Sequence, residues 1–157
     1  MKFIWHNTHD EAFETLKKKL TEKPILTFPD IKKKFVLLTD ASSHAVAGVL
    51  NQEDEQGHLL PIEYFSRLLK GSESRYGATE LEALAIIASI KKFHIFLYNK
   101  EFTVKTDHKG LVNILTSKNA LSPRVFRWSL LLQEYKFEVQ YVPVSYTHLT
   151  LPTTSRV

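Results

Sequence analysis

Apolar residues recur along the chain with two periods, and these periods predict a sheet flanked by helices. Short apolar or alternating runs are typical of strands, and turn-forming residues separate them. The first three predicted strands are joined by short polar loops, which favours an antiparallel meander. Pro61 in the third strand indicates a position near an edge, because proline cannot donate to a neighbouring strand. The predicted strands span residues 34–40, 44–52, 59–67, 101–107 and 136–142.

Helical periodicity occupies much of the remaining chain. Thr8 and Glu11 have capping-box spacing at the start of an apolar stripe that Pro24 ends. A long helix is predicted within residues 71–100, where a polar start precedes an apolar middle. This helix lies between two strands, and a strand, long helix and strand favour a right-handed crossover with parallel pairing. Two further helices are predicted at residues 108–117 and 122–135.

These elements predict an α/β fold with a mixed five-stranded sheet, in which three antiparallel strands are followed by two parallel ones. A length of 157 residues fits one domain with a short attachment. The absence of cysteine excludes disulfides and thiolate zinc sites. The longest apolar run is too short to cross a bilayer, and the first residues lack a signal-peptide pattern. A net charge of +4 permits a polyanionic partner without requiring one.

Carboxylates at the ends of two predicted strands are the candidate chemistry. Asp40 and Asp107 each follow a threonine at a strand end, where ligand sites of open α/β sheets lie. If the two strands are parallel neighbours, both carboxylates emerge at the same edge of the sheet. The long helix between them carries Glu80 and Glu82, and Glu82 shares a largely apolar helix face, where a lone carboxylate is costly.

Three neighbouring carboxylates repel one another and stay ionised only when a cation lies between them. Hard oxygen ligands without a histidine or cysteine cluster suit Mg²⁺ or Mn²⁺ rather than zinc. Two such ions about 3.5–4 Å apart would stabilise the attacking water and the leaving oxygen of a phosphodiester. The pattern therefore points to nuclease or polymerase chemistry.

Each acid also has an ordinary structural explanation. Asp107 could cap the short helix that follows it, and Glu82 could reach solvent from the boundary of the core. Helical periodicity alone does not choose Glu82 over Glu80. His108 is expected to be a satisfied surface histidine, Trp128 a core residue, and Ser42 a turn former rather than a contact to nucleic acid.

Five stretches of the sequence resemble the RNase H domain of gypsy-type LTR-retrotransposon and retrovirus-like Pol polyproteins. The resemblance includes the end of the reverse transcriptase, which precedes that domain. The five stretches run in order over residues 3–143. They read FIWHNTHDEAFETLKKKLTEKPILTFPD, FVLLTDASSHAVAGVLNQ, LPIEYFSRLL, ESRYGATELEALAIIASIKKFHIFLYNKEFTVKTDHKGL and RWSLLLQEYKFEVQYVP. The resemblance implies that residues 1–30 are the end of the reverse transcriptase or a connector, and residues 31–143 an RNase H-like domain.

The resemblance also implies an activity and a site. The implied activity is metal-dependent endonucleolytic cleavage of the RNA strand of an RNA–DNA hybrid, with two Mg²⁺ or Mn²⁺ ions. The family motif assigns the metal ligands to Asp40, Glu82 and Asp107, and leaves Glu80 as an exposed first-turn acid favoured by the helix dipole. The implied partners are the hybrid and the rest of the Pol polyprotein. Cytoplasmic retroelement particles are the expected location, although the sequence contains no address signal.

The C-terminal part departs from the family pattern. The family continues with Pro-Gly, Asn and a helix reading roughly Ala-Asp-Ala-Leu-Ser-Arg, whose aspartate is the fourth acid of the site. Here Pro143 is followed by a Thr/Ser-rich tail, and no aspartate occurs after Asp107. Residues 144–157 resemble translated sequencing adapter, so we expect an artefactual tail in place of the true C-terminus.

Two other functions follow from this departure and from the fold. A chain with three of four acids could be a non-catalytic hybrid-binding or scaffold module of Pol. Integrase- or transposase-type strand transfer is a weaker option, because the N-terminal stretch resembles the reverse-transcriptase junction. Polymerase activity is not expected, since no second carboxylate cluster is present to serve a polymerase site.

Overall fold

The computed structural model describes residues 5–21, 26–114 and 122–143. The strands are β1 (Phe35–Ala41), β2 (Ala45–Glu53), β3 (Leu59–Leu68), β4 (Glu101–Thr106) and β5 (Lys136–Tyr141). The helices are α1 (Asn7–Thr21), α2 (Ala78–Lys92), α3 (His94–Leu97), α4 (Lys109–Ile114) and α5 (Pro123–Leu132), with a 3₁₀ turn at Gly71–Arg75. None of the described helices is long and apolar enough to span a membrane. The tail predicted to be artefactual lies outside the described residues.

The five strands form one mixed sheet in the order β3-β2-β1-β4-β5. The pairs β1–β2 and β2–β3 are antiparallel, whereas β1–β4 and β4–β5 are parallel. The predicted fold class is therefore confirmed, and Pro61 lies in an edge strand as expected. The connection from β3 through α2 places β4 beside β1, so the ends of two parallel strands lie near a helix that packs on the sheet.

The main core lies between the sheet and α2. Leu37 and Leu50 from the sheet, with Ile86 and Ile90 from the helix, are fully buried in one apolar cluster. The sheet and helix approach closely at Gly48, where an added Cβ would lie 2.2 Å from Oγ of Ser89. This packing fixes the height of α2 above β1 and β2.

The helix predicted within residues 71–100 is shorter than expected. Gly77 is the N-cap of α2 in an extended conformation, and the preceding residues form the 3₁₀ turn. Phe93 ends α2 with a ψ angle of 17°, so the chain bends before α3. Ile95 has the spacing of the apolar residues in the predicted helix, but it follows this bend and is 85% exposed.

The N-terminal helix forms, but its apolar stripe stays accessible. Phe13 and Leu16 are each about half exposed, and Trp5 contacts the Phe13 ring edge-on. After this helix the connector is anchored to the sheet by the side chain of Gln52, which bonds both backbone groups of Asp30. The proposed boundary between a connector and the RNase H-like unit at residue 30 remains a prediction.

Candidate active site

The strand register aligns two aspartates, Asp40 near the end of β1 and Asp107 directly after β4. The parallel pairs run from Phe35↔Phe102 to Leu38↔Lys105. The same offset, continued along both strands, places Asp40 opposite Asp107. Since neighbouring strands lie about 4.8 Å apart, the two residues occupy one edge of the sheet. The sequence expectation that both acids emerge together rests on this parallel pairing, which the structure contains.

Glu82 on α2 is the third acid of this edge. Burial of its half-buried side chain, followed by the charges of Asp107 and Asp40, raises the pKa of Glu82 from 4.5 to about 7. A hydrogen bond from the backbone N–H of Ala41 acts in the opposite direction. The second carboxylate oxygen, Oε2, is buried and has no hydrogen-bond partner among the described residues. A buried carboxylate oxygen without a partner is costly, and a proton or a bound cation would remove that cost.

Glu80, the other acid of the helix, has a different environment. Both of its carboxylate oxygens accept hydrogen bonds of 2.9 Å from the guanidinium of Arg124. Ser122 Oγ donates a further bond of 3.1 Å, and Arg124 lies over the Tyr76 ring at 4.0 Å from its centroid. The expectation that Glu80 is merely an exposed first-turn acid is wrong, because α5 covers it and neutralises its charge. Its carboxylate nonetheless also accepts from the Gly77 N–H at the helix start.

His108 is half-buried rather than a surface histidine. Its Nε2 lies 3.1 Å from Thr79 Oγ1, within hydrogen-bond distance, and its Nδ1 is buried without a partner among the described residues. Sequence reasoning did not single out Thr79. No periodic pattern connects it to His108, since the two residues are 29 positions apart.

Three further residues near the sheet have ordinary structural roles. Ser42 Oγ accepts hydrogen bonds from the backbone of His44 and Ala45, which is the expected turn role. Trp128 packs against the core, also as expected. Lys105 forms an ion pair with Glu53 at 3.3 Å.

The three carboxylates suit a hard cation, although no ion site is ready-made among the described residues. Within residues 5–21, 26–114 and 122–143, no three Asp, Glu or His side chains form a group that could hold a metal ion as they stand. The donor chemistry nevertheless fits Mg²⁺ or Mn²⁺, because all three groups are carboxylates and Glu82 Oε2 has no partner in the described part of the chain. The metal-ligand assignment of Asp40, Glu82 and Asp107 therefore remains a prediction.

The raised pKa of Glu82 predicts that the metal-free protein loses stability as the pH rises. The folded-state pKa of about 7 exceeds the ordinary value of 4.5, so the folded state binds this proton more tightly. The resulting stabilisation is complete below pH 4.5 and is lost as the pH passes about 7. We expect the melting temperature in EDTA to fall between pH 5 and pH 8, as followed by circular dichroism.

Glu82→Gln supplies the control for this measurement. The variant cannot ionise at this position, so its melting temperature should depend less on pH over the same interval. The two proteins share every other ionisable group, including all seven histidines, so the comparison between wild type and variant isolates the contribution of Glu82. Identical pH profiles for the two proteins would contradict the environment assigned to Glu82.

Comparison with solved structures defines the class of fold. The chain is similar to foamy viral protease-reverse transcriptase in complex with an RNA/DNA hybrid, with a TM-score of 0.61 and 18% identity over 98% of this chain and 21% of that one. It is also similar to LC11-RNase H1 isolated from compost, with a TM-score of 0.55 and 16% identity over 72% of this chain and 86% of that one. The sheet order and these likenesses define an RNase H-like fold.

Sequence comparison identifies the family. Residues 5–104 match the RNase H-like domain found in reverse transcriptase, and the chain belongs to that family. It is 39% identical over 147 residues to the retrovirus-related Pol polyprotein from transposon 412 of Drosophila melanogaster. The match covers 94% of this chain but only 12% of that polyprotein. The chain is therefore an RNase H-like domain of a retroelement Pol polyprotein, as the resemblance implied.

Proposed function

We propose that this domain hydrolyses the RNA strand of RNA–DNA hybrids in a reaction that depends on two Mg²⁺ or Mn²⁺ ions. The proposal rests on the effect of Asp40 and Asp107 on Glu82, whose pKa their negative charges help to raise. Its pKa of about 7, and an Oε2 without a partner among the described residues, mark a carboxylate that lacks a compensating positive charge. A divalent cation supplies that charge, and in such sites it activates water and stabilises the leaving oxygen of a phosphodiester.

Each acid has a defined part in this proposal. Asp40 lies on β1, which pairs with β4 and contacts α2, so we assign it to both ions. Glu82, from the helix, and Asp107, from the neighbouring strand end, would each hold one ion. Because each comes from a different backbone element, the relative placement of β1, β4 and α2 sets the spacing of the ligands.

The proposed substrate is an RNA–DNA hybrid, and the proposed partner is the rest of the reverse transcriptase. The foamy viral protein with a similar fold was solved with such a hybrid, which supports the substrate class. The mild excess of basic residues, with a net charge of +4, is compatible with a nucleic-acid backbone. The chain covers about a tenth of its polyprotein relative, so most of the proposed partner lies outside this sequence.

Cleavage of an end-labelled RNA–DNA hybrid by the 157-residue chain tests this function directly. We expect internal cuts in the RNA strand with Mg²⁺ or Mn²⁺ and none after addition of EDTA. Single-stranded RNA and duplex DNA of the same sequence are the controls, and both should remain intact. Nicking of duplex DNA with sparing of the hybrid would instead support strand-transfer chemistry.

A hybrid-binding module is the second candidate. It is favoured by the absence of a ready-made three-residue ion site within residues 5–21, 26–114 and 122–143. The same labelled hybrid distinguishes the two candidates in a filter-binding assay. Retention of the hybrid by folded protein that makes no cuts with either metal would favour binding alone and contradict the nuclease proposal.

A further inference from the structure

One hydrogen bond joins α2 to the segment that directly follows β4. His108 Nε2 and Thr79 Oγ1 are 3.1 Å apart, and the bond spans 29 residues. The backbone N–H of His108 also donates to Thr106 Oγ1 at 3.2 Å, and Thr106 is buried. His108 is thus bonded through its backbone to the end of β4 and through its ring to the first turn of α2.

Both ends of this connection lie beside a proposed metal ligand. Thr79 precedes Glu82 by three residues in α2, and side chains at this spacing are neighbours on a helix surface. His108 directly follows Asp107, and Thr106 directly precedes it. The bond between Thr79 and His108 therefore links the two backbone elements that carry Glu82 and Asp107.

We propose that Thr79 and His108 form a positioning pair that sets the distance between Glu82 and Asp107 for a divalent cation. The inference rests on the proposed function and adds two residues that do not themselves bind the ion. The geometry supports this role because Nδ1 of His108 is buried without a partner among the described residues. The bond to Thr79 is consequently the polar contact that orients the imidazole ring. Groups that orient metal ligands contribute strongly to affinity even when they do not touch the metal.

Binding of Mn²⁺ to the full 157-residue chain provides a readout that does not depend on catalysis. The electron paramagnetic resonance signal of free Mn²⁺ gives the dissociation constant directly. Thr79→Val removes the hydroxyl but keeps the side-chain shape, and we expect about tenfold weaker binding. Thr79→Ser restores the hydroxyl and should bind Mn²⁺ nearly as tightly as the wild type.

Thr103→Val is the matched control. Thr103 also lies on β4 and donates a hydrogen bond of 3.1 Å, but its acceptor is Glu138 on β5. The substitution is chemically identical to Thr79→Val, so it reports the effect of losing a threonine hydroxyl elsewhere on the sheet. Mn²⁺ binding should be unchanged in this variant.

A second variant changes His108, the other member of the pair. His108→Phe keeps a ring and removes both nitrogens, so it should weaken Mn²⁺ binding by about the same factor as Thr79→Val. Because the two residues act through one bond, the double variant should be no weaker than either single variant. Circular dichroism establishes that each variant is folded before its binding is compared.

The outcomes separate this inference from the proposed function. Wild-type affinity in folded Thr79→Val or His108→Phe would overturn the positioning role and leave the metal site intact. Equal weakening by Thr103→Val, or full additivity in the double variant, would overturn it as well. If the Asp40→Asn variant bound Mn²⁺ as tightly as the wild type, the proposed metal site would be refuted, and the positioning role with it.

Discussion

Replacing Asp40 with asparagine is expected to abolish cleavage of the RNA–DNA hybrid while the protein stays folded. Asparagine keeps the size of the side chain and removes the charge that a hard cation requires. Metal ions contribute several kcal/mol of transition-state stabilisation, so loss of the proposed ligand to both ions predicts a rate at least about 10³-fold lower. The measurement is the initial cleavage rate of labelled hybrid in Mn²⁺.

The position of Asp40 allows this substitution to test the metal site without disturbing the core. Asp40 is exposed at the end of β1, outside the buried apolar cluster that holds the sheet and α2 together. The charge of Asp40 also helps to raise the pKa of Glu82, so Asp40→Asn should lower that pKa. A weaker pH dependence of the melting temperature in EDTA would therefore accompany the loss of cleavage.

Asp54→Asn is the matched control for Asp40→Asn. Asp54 lies in the turn after β2, at the opposite end of the sheet, where it accepts backbone hydrogen bonds from Gln56 and His58. Asparagine can accept the same bonds, so cleavage by this variant should match the wild type. Normal cleavage by folded Asp40→Asn would refute the assignment of Asp40, whatever the control shows.

The sheet was predictable because its signals in the sequence are local. Each strand carries its own apolar run, and the order β3–α2–β4 favours a parallel direction for the strands on either side of the helix. These local signals do not determine the pairing of β4 with β1 rather than with β3. That pairing alone brings Asp40 and Asp107 to one edge. The helix boundaries were less predictable, since periodicity within residues 71–100 continues through Phe93, where the backbone bends. Ile95 consequently fits the apolar stripe of the helix and yet lies in solvent.

The choice between the two glutamates could not be made from the periodicity of the helix. Glu80 is distinguished by Arg124, a residue 44 positions later in the chain, which neutralises it from α5. Glu82 is distinguished by Asp40 and Asp107, which approach it from two strands. Both distinctions arise from tertiary contacts, so in the sequence only the family resemblance indicates Glu82.

Gly48→Ala is expected to destabilise the protein through the contact between β2 and α2. A Cβ at this position would lie 2.2 Å from Oγ and 2.8 Å from Cβ of Ser89, so the helix or the strand must move. Overpacking of this kind costs about 1–3 kcal/mol, which corresponds to several degrees in the melting temperature of a domain of this size. Thermal unfolding followed by circular dichroism measures the effect.

Two further variants identify the clash as the cause. Gly77→Ala makes the same substitution where no atom lies within 4 Å of the added Cβ, so it should cost less than Gly48→Ala. Ser89→Gly removes both clashing atoms, whereas Ser89→Ala would leave the Cβ in place. Glycine inside a helix costs about 1 kcal/mol by itself, so the rescue must be assessed as a favourable coupling in a double-mutant cycle.

The same contact links stability to the proposed site. Ser89 lies seven residues after Glu82 in α2, about two helical turns away, and Gly48 pairs with Thr39, the residue before Asp40. Moving α2 away from the sheet at Gly48 therefore also moves Glu82 relative to Asp40. Gly48→Ala should weaken Mn²⁺ binding at temperatures where the variant is still folded, and Ser89→Gly should restore part of it. Unchanged Mn²⁺ binding in a destabilised Gly48→Ala protein would show that the height of the helix does not control the spacing of the acids.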